Sequence, residues 1–113
     1  MKYLLIHAVS ETDELPEGGR PEQDGDIESW VEEMERRGVL RVGERLARTS
    51  DATSVRVRHD ETLVLDGPFA ETKEQVAGFD LIECADLDEA IEIASKHPCA
   101  GLGTVEVRPL WVQ

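Results

Sequence analysis

Apolar and polar positions divide the chain into several short strand-like runs and two amphipathic helical segments. Residues 2–9 are dense in strand-forming residues, and their alternation separates two largely apolar faces. The first face carries Tyr3, Leu5, His7 and Val9, and the second carries Leu4, Ile6 and Ala8. Because both faces are apolar, the run predicts a strand in the middle of a sheet that is covered on two sides.

A long polar stretch precedes the first helical pattern. Residues 10–25 are rich in Glu, Asp, Gly and Pro and contain almost nothing to bury. They predict a solvated loop, and a lid over a cleft is the functional alternative. Apolar residues then recur at helical spacing, and Gly38 supplies the stop after Arg36 and Arg37. The stripe consists of Ile27, Trp30, Val31 and Met34.

The middle of the chain reads as strands and a hairpin. Residues 39–47 alternate, with Leu40, Val42 and Leu46 on one side. Residues 54–58 and 62–66 are short β-like runs on either side of a polar turn, which predicts a hairpin. Another strand-like run covers about 76–84, and Gly78 within it marks a bulge or a close backbone approach.

The second helix begins with a capping-box arrangement. Asp86 is followed three residues later by Glu89, and His97–Pro98 ends the segment because proline cannot continue the helix. The predicted buried stripe consists of Leu87, Ala90, Ile91 and Ala94. A last strand follows in residues 103–112, with Pro109 breaking its far end.

The order of elements predicts the fold. A β-α-β half, a hairpin and a second β-α-β half match the ferredoxin-like split βαβ plan, an α+β fold with the hairpin inserted between the halves. Right-handed crossovers put both helices on one sheet face, which leaves an apolar face uncovered. We therefore expect residues 1–113 to form a single domain and a homodimer, a dimeric α+β barrel with clefts beside each sheet.

Composition narrows the classes of function. The chain has 113 residues and a formal net charge of −13, which argues against nucleic-acid binding and against anionic membrane surfaces. No apolar run approaches a membrane span, and the start of the chain reads as a strand, without the features of a signal peptide. Cys84 and Cys99 form no CxxC pair, so free thiols in a reducing cytoplasm are expected.

Several segments together resemble a known family. They are MKYLLIH at the start, TSVRVR, DGPFAETKEQVAGF, the helical DLDEAIEIA, the HP that ends it and the closing VEVRP. Over nearly the whole chain they resemble the YCII-related domain, in its DGPF subgroup. The resemblance implies a dimeric ferredoxin-like α+β barrel with a mostly unassigned function. Relatives include an enzyme acting on chlorinated hydroxyquinone-type aromatics, and subgroup members often accompany extracytoplasmic-function sigma factors.

The chain departs from the wider family at two positions. Other relatives are proposed enzymes with a His–Asp pair in a cleft, but no histidine lies between His7 and His59, where the family places one on the first helix. The acidic residue before proline at the end of the second helix is His97 here. The resemblance therefore does not carry the His–Asp chemistry over intact. The subgroup motif itself is matched by Asp66, Gly67, Pro68, Phe69, Glu71, Lys73, Glu74, Gly78, Phe79, Glu106, Arg108 and Pro109.

Two residues are candidates for catalysis. His7 on the first strand could transfer protons near neutral pH, and the alternative is a satisfied core histidine. Asp66 could act as a general base at a cleft mouth, and the alternative is a side chain that fixes the turn. The candidate ligand-binding residues are Phe69, Glu71, Lys73 and Glu74. Lys73 either binds an anionic oxygen or joins a local charge network.

No motif in the sequence indicates a metal or a cofactor. His59–Asp60–Glu61 and His97–Pro98–Cys99 lack recognised ligand spacing, and there is no phosphate-binding glycine loop or nucleophile motif. Any chemistry is then acid–base chemistry or binding. The first hypothesis is an enzyme that acts by proton transfer on a small organic, including aromatic, molecule. The alternative is a non-catalytic ligand-binding or regulatory module that partners a sigma factor.

Overall fold

A computed structural model of the chain describes residues 1–11, 21–70 and 72–112. The strands and helices in chain order are β1 (Lys2–Val9), α1 (Pro21–Arg36), β2 (Leu40–Arg45), β3 (Thr53–Arg58), β4 (Glu61–Asp66), β5 (Gln75–Glu83), α2 (Leu87–Ser95), α3 (Cys99–Leu102) and β6 (Thr104–Pro109). A 3-10 turn at Thr49–Asp51 lies between β2 and β3. No helix in the described ranges is long and apolar enough to cross a membrane.

The strands form one sheet of four and one of two. The larger sheet has the order β2-β5-β1-β6, and each neighbouring pair is antiparallel. β3 and β4 form the second sheet, joined through His59 and Asp60, whose φ angles are 52° and 65°. The molecule is thus a mixed α+β fold with antiparallel sheets, consistent with the ferredoxin-like plan. β1 lies inside the larger sheet, as its apolar pattern predicts.

One face of the larger sheet holds the core. Leu5 on β1 and Ile82 on β5 are fully buried, together with Met34 of α1 and Ile93 of α2. The side chain of Trp30 joins the helices, because its Nε1–H donates to the Ile93 carbonyl at 3.0 Å. On the opposite face the apolar side chains are only partly buried and belong to no core cluster of the described residues. They include Leu4, Ile6, Phe79 and Leu81.

The first helix begins earlier than the sequence indicates. The polar stretch predicts a loop through residue 25, but α1 starts at Pro21. Proline suits the first turn of a helix because its fixed φ is already helical and no N–H is needed there. The rest of the predicted loop, and with it the lid alternative, falls on residues 12–20, outside the described residues. Gly38 ends the helical segment with a φ of 73°.

The predicted alternation in β2 is wrong. Leu40 pairs with Ile82, and Val42 pairs with Leu81, the neighbouring residue of β5. Neighbouring residues of a strand point to opposite faces, so Leu40 packs on the helix side and Val42 does not. The register shift between Leu40 and Val42 is the cause, since a β-bulge adds one residue and reverses the alternation.

The predicted N-terminus of α2 is confirmed, but its predicted stripe is partly wrong. The Asp86 carboxylate accepts the Glu89 N–H at 2.9 Å, and the Glu89 carboxylate accepts the Ala85 N–H at 2.9 Å. Leu87 and Ile91 are half-exposed. The buried positions are Ala90, Ile93, Ala94 and His97. They are spaced i, i+3, i+4 and i+7, so the buried face is rotated and extends past the helix to His97.

Candidate functional site

A histidine and a carboxylate form a buried pair on the helix side of the larger sheet. His7 is 4% exposed and Asp80 is 7% exposed. The His7 Nε2 and Asp80 Oδ2 atoms are 2.6 Å apart. The register explains the contact, because β5 pairs Gly78 with His7 and Asp80 with Leu5, which puts Asp80 diagonally beside the imidazole. A carboxylate accepts hydrogen bonds, so His7 donates through Nε2.

The second nitrogen of His7 is unused. Nδ1 is buried and has no hydrogen-bond partner among the residues the structure describes. With the hydrogen on Nε2, the lone pair of the neutral ring is on Nδ1. Buried polar atoms are nearly always hydrogen-bonded, so an orphan of this kind calls for an explanation, such as a bound molecule or a catalytic role.

A second histidine is stacked on the first. The rings of His97 and His7 have centroids 3.9 Å apart and planes inclined by 15°. The Cys99 N–H donates to His97 Nδ1 at 3.0 Å, so the hydrogen of the neutral His97 ring is on Nε2, which lies 3.8 Å from Asp80 Oδ2. Trp30 packs edge-on against His97 with a centroid distance of 4.7 Å.

The electrostatics of this cluster favour a neutral His97. Burial lowers the pKa of His97 from 6.5 to about 3, and the charge that His7 carries whenever it is protonated adds to the effect. Burial also raises the pKa of the Cys99 thiol, with a further contribution from the charge of Asp80, whereas the charge of Arg45 acts in the opposite direction. His97 is thus a neutral packing surface for His7 at physiological pH.

Glycines let the strands approach around this pair. A Cβ atom at Gly43 of β2 would lie 1.8 Å from Asp80 Oδ1, so any side chain there would displace the carboxylate. A Cβ atom at Gly78 would lie 2.9 Å from the Glu44 carbonyl oxygen. The register of β1 and β5 also shifts next to Gly78. The sequence-based interpretation of Gly78 as a bulge or a close approach is confirmed.

The cluster contains donor atoms that a metal could use. Donor atoms of His7, His97 and Cys99 all lie within 4.8 Å of one another. However, an imidazole binds a metal in the plane of its ring, and the two stacked rings direct their nitrogens in nearly parallel planes. His97 Nδ1 is also occupied by the Cys99 N–H. These side chains would have to rotate before they could converge on one ion.

Asp66 lies in a different part of the molecule. It is exposed at the end of β4 and pairs with Thr53, whereas His7 is buried in the larger sheet. Gly67 follows with a φ of 95°, and its N–H donates to the Ala52 carbonyl at 2.7 Å, which closes the base of the two-stranded sheet. The structure thus brings His7 together with Asp80 and does not bring it together with Asp66. A catalytic role for Asp66 stays a prediction.

Two of the predicted ligand-binding residues, Phe69 and Glu74, line a separate cleft. Phe69 is 82% exposed, and Lys73 is exposed as well. Glu74 accepts a hydrogen bond from Thr104 Oγ1 at 2.9 Å, and Glu71 lies outside the described residues. The cleft has a volume of about 580 Å³. Its lining includes Leu46, Thr49, Pro68, Phe69, Glu74 and Val76, and no member of the His7 cluster.

One feature of the sequence indicates that Asp80 has a buried partner. Alternation through residues 78–82 groups Asp80 with Ile82, so an acidic residue falls on an apolar face. A buried carboxylate requires a partner, and His7 is the polar residue on the same face of β1. The sequence does not indicate that His97 contacts His7. The two rings meet only because the end of α2 packs on the sheet.

Comparison with known proteins assigns the chain to a family. The family model of the YCII-related domain matches residues 1–112. A similar protein is an uncharacterized protein of Rhizobium meliloti (strain 1021), 53% identical over 68 residues, which are 58% of this chain and 55% of the relative. The chain spans about half the length of that curated relative. Because the match to the family model extends over nearly its whole length, the chain belongs to the YCII-related domain family.

Proposed function

We propose that the protein is a small enzyme that catalyses proton transfer on a small organic molecule, with aromatic molecules among its substrates. The observation that carries the proposal is the buried His7, which is bonded to Asp80 through Nε2 and leaves Nδ1 unpartnered. A general base needs a free lone pair and a group that holds its tautomer. His7 and Asp80 meet both requirements.

The proposed reaction begins when His7 Nδ1 removes a proton from a C–H or O–H acid. The broken bond leaves its electron pair on the substrate as an enolate or a phenolate. Asp80 stabilises the imidazolium that forms, because its carboxylate already accepts the Nε2 hydrogen at 2.6 Å. His97 stays neutral, so it adds no positive charge that would oppose protonation of His7. Return of the proton to another atom of the substrate completes an isomerisation and restores His7.

The proposal is tested by hydrogen–deuterium exchange of carbon acids in D2O, followed by proton NMR. Pyruvate, acetone and hydroxyquinones serve as probes. The wild-type protein should accelerate exchange of at least one of them. His7→Gln and Asp80→Asn should each reduce the acceleration of deuterium exchange. The reduction should be about 10²- to 10⁴-fold for His7→Gln, because His7 is the proposed base.

The matched controls separate this site from other polar residues. His59→Gln changes an exposed turn histidine and should leave the exchange rate unchanged. Asp66→Asn tests the other candidate carboxylate and should also have little effect. An enhancement that survives His7→Gln, or that disappears in Asp66→Asn, would contradict the assignment to His7 and Asp80.

We also propose that two copies pair through the uncovered face of the larger sheet to form a dimeric barrel. The support is a row of apolar side chains on that face that no described helix covers, including Ile6, Phe79 and Leu81. Large contiguous apolar patches are uncommon on the surface of monomers. We further propose that the chain belongs to the DGPF subgroup of the family, because it matches the subgroup motif. We also propose that the protein is cytoplasmic, because free thiols are typical of a reducing compartment.

The second candidate function is a non-catalytic binding or regulatory module. The specific support is Phe69, which is 82% exposed at the rim of the cleft of about 580 Å³, in a chain with a net charge of −13. Such a surface suits a partner with a basic segment, and an extracytoplasmic-function sigma factor is the candidate. Calorimetric titration should show binding that Phe69→Ala weakens. If titration with such a factor produces no heat of binding, this candidate function is wrong.

A further inference from the structure

β3, β4 and the turn between them form an arm that projects from the rest of the protein. Of residues 53–66, which make up the arm, only Ser54 is not exposed. At the base of the arm, the Gly67 N–H donates to the Ala52 carbonyl at 2.7 Å, and the Ser54 hydroxyl donates to the Gly67 carbonyl at 2.7 Å. The radius of gyration of the Cα trace is 15.8 Å, whereas a compact domain of this length has about 13 Å. The arm therefore extends beyond the compact body.

One face of the arm is apolar and open to solvent. The register pairs Val55 with Val64 and Val57 with Thr62, so these side chains share a face. We refer to Val55, Val57 and Val64 as the valine face, and each of the three is between 57% and 62% exposed. Two strands alone are marginally stable in water, and β-branched residues are typical of strands that are partly buried. The valine face is therefore expected to be covered.

The distribution of charge on the arm indicates what covers this face. Charged residues are 33% of the chain, yet the valine face has only Asp66 beside it, at the base of the arm. The opposite face of the arm carries Arg56, Arg58 and Glu61. Two copies of the chain repel each other because each has a net charge of −13, so they approach most readily where charge is scarce. The valine face meets that condition.

The area of the larger sheet points to the same partner. Four strands that pair over about six residues cover about 20 Å by 20 Å, so two such faces bury about 800 Å² in total. Stable interfaces bury about 1,200–2,000 Å² in total. The valine face is two strands wide and adds about 200 Å² on each copy, which raises the total to about 1,200 Å². The arms thus supply area that the pairing of the larger sheets lacks.

We propose that the valine face docks on a second copy of the chain, beside the contact between the two larger sheets. The proposal rests on the proposed pairing of two copies and adds a separate surface to it, and it is independent of proton transfer by His7. Burial removes the three valines from water, which favours association and stabilises the arm. Because such a dimer has two-fold symmetry, the contact occurs twice, once for each arm.

The test measures the dissociation constant of the dimer by analytical ultracentrifugation. Val64→Lys puts a charge on the valine face and should weaken dimerisation at least about tenfold. Leu63→Lys is the matched control, because the same substitution at the preceding residue of β4 points to the opposite face and should leave the dissociation constant unchanged. Backbone NOEs between Val57 and Thr62 in each variant check that the strands of the arm remain paired.

A second measurement uses the wild-type chain, so it does not depend on the folding of a variant. Protein with labelled valine methyl groups is mixed with unlabelled protein, and NOEs between the two copies are recorded. These NOEs should reach the methyl groups of Val55, Val57 and Val64.

The other outcomes separate the arm from the larger sheet. If Leu81→Glu weakens the dimer and Val64→Lys does not, the sheet pairing stands and docking of the arm is wrong. If Val64→Lys weakens the dimer and Leu81→Glu does not, the arm contact stands and the sheet pairing is wrong. Equal weakening by Leu63→Lys, or a wild-type dimer without NOEs between copies at these valines, would overturn docking through the valine face. A wild-type monomer would refute both contacts.

Discussion

At the scale of single residues, the site depends on two histidines with different tasks. His7 has one nitrogen bonded to Asp80 and one without a partner among the described residues. His97 has its Nδ1 bonded to the Cys99 N–H and its ring face against His7. The same residue type thus serves as the candidate base in one position and as a neutral packing partner in the other. The difference arises from hydrogen bonding, since both rings are buried.

The depressed pKa of His97 predicts a pH dependence of stability. Its pKa is about 3 in the folded protein and 6.5 as the ordinary value, so between these values the unfolded chain binds more protons. The contribution to the free energy of unfolding is complete above about pH 6.5 and is lost as the pH falls towards 3. Urea unfolding of the wild type and His97→Gln from about pH 7 to pH 4 measures it.

The comparison between the two proteins isolates His97 from the many carboxylates that also titrate in acid. The wild type should lose more stability than His97→Gln over this range. Asp80, His7 and Cys99 face the ring and are present in both proteins. Parallel stability curves for the two proteins would show that His97 is protonated to the same extent in the folded and unfolded states.

At the scale of elements, Trp30 connects the helices to the site. Its indole N–H donates to the Ile93 carbonyl at 3.0 Å, and its ring packs edge-on against His97. The buried stripe of α2 continues through Ile93 to His97, so one side chain of α1 both joins the two helices and supports the stacked ring. An exposed ion pair at 2.7 Å between Arg37, just after α1, and Glu92 of α2 adds to the same contact.

Replacing this indole tests the contribution of the buried hydrogen bond. Trp30→Phe keeps an aromatic ring but leaves the Ile93 carbonyl without its donor. Loss of a buried hydrogen bond of this type costs about 1–3 kcal/mol, and the smaller ring adds a packing loss. The free energy of unfolding in urea should fall by at least that amount. Trp111→Phe is the control, since Trp111 is 85% exposed and its replacement should have little effect.

At the scale of the whole molecule, the larger sheet has helices on one side. The Cα trace is only 19 Å thick along its shortest axis, as expected for one sheet and one helix layer. Val42, which the β-bulge directs away from the helices, is 45% exposed on the other side. Together with Ile6, Phe79 and Leu81, it forms the apolar surface through which we propose that two copies pair.

Light scattering at micromolar concentration tests this surface. The wild type should have twice the mass of one chain. Leu81→Glu puts a charge in the proposed interface and should give a monomer, because an unpaired buried carboxylate is costly. Ile91→Glu is the control on the outer side of α2, where the side chain is 51% exposed, and should remain dimeric. A monodisperse wild-type monomer would refute sheet-on-sheet pairing.

Local patterns were sufficient for much of the architecture. The alternation in β1, the capping residues Asp86 and Glu89 and the glycine after α1 each depend on near neighbours in the chain, so their structural consequences can be derived from the sequence. The order of elements then restricts the topology to few arrangements, which is why the α+β class was predictable. The net charge of −13 likewise follows from the composition alone.

Tertiary structure decided what these local patterns could not. The β-bulge after Leu40 reversed the faces of β2, because a single extra residue shifts a two-residue repeat and depends on pairing with β5. Asp80 became the partner of His7 through strand register, although 73 residues separate them in the chain. His97 joined them because its ring, just beyond the end of α2, stacks on His7 of β1. The sequence by itself determined the elements and supplied His7, and only packing between distant segments determined which groups surround it.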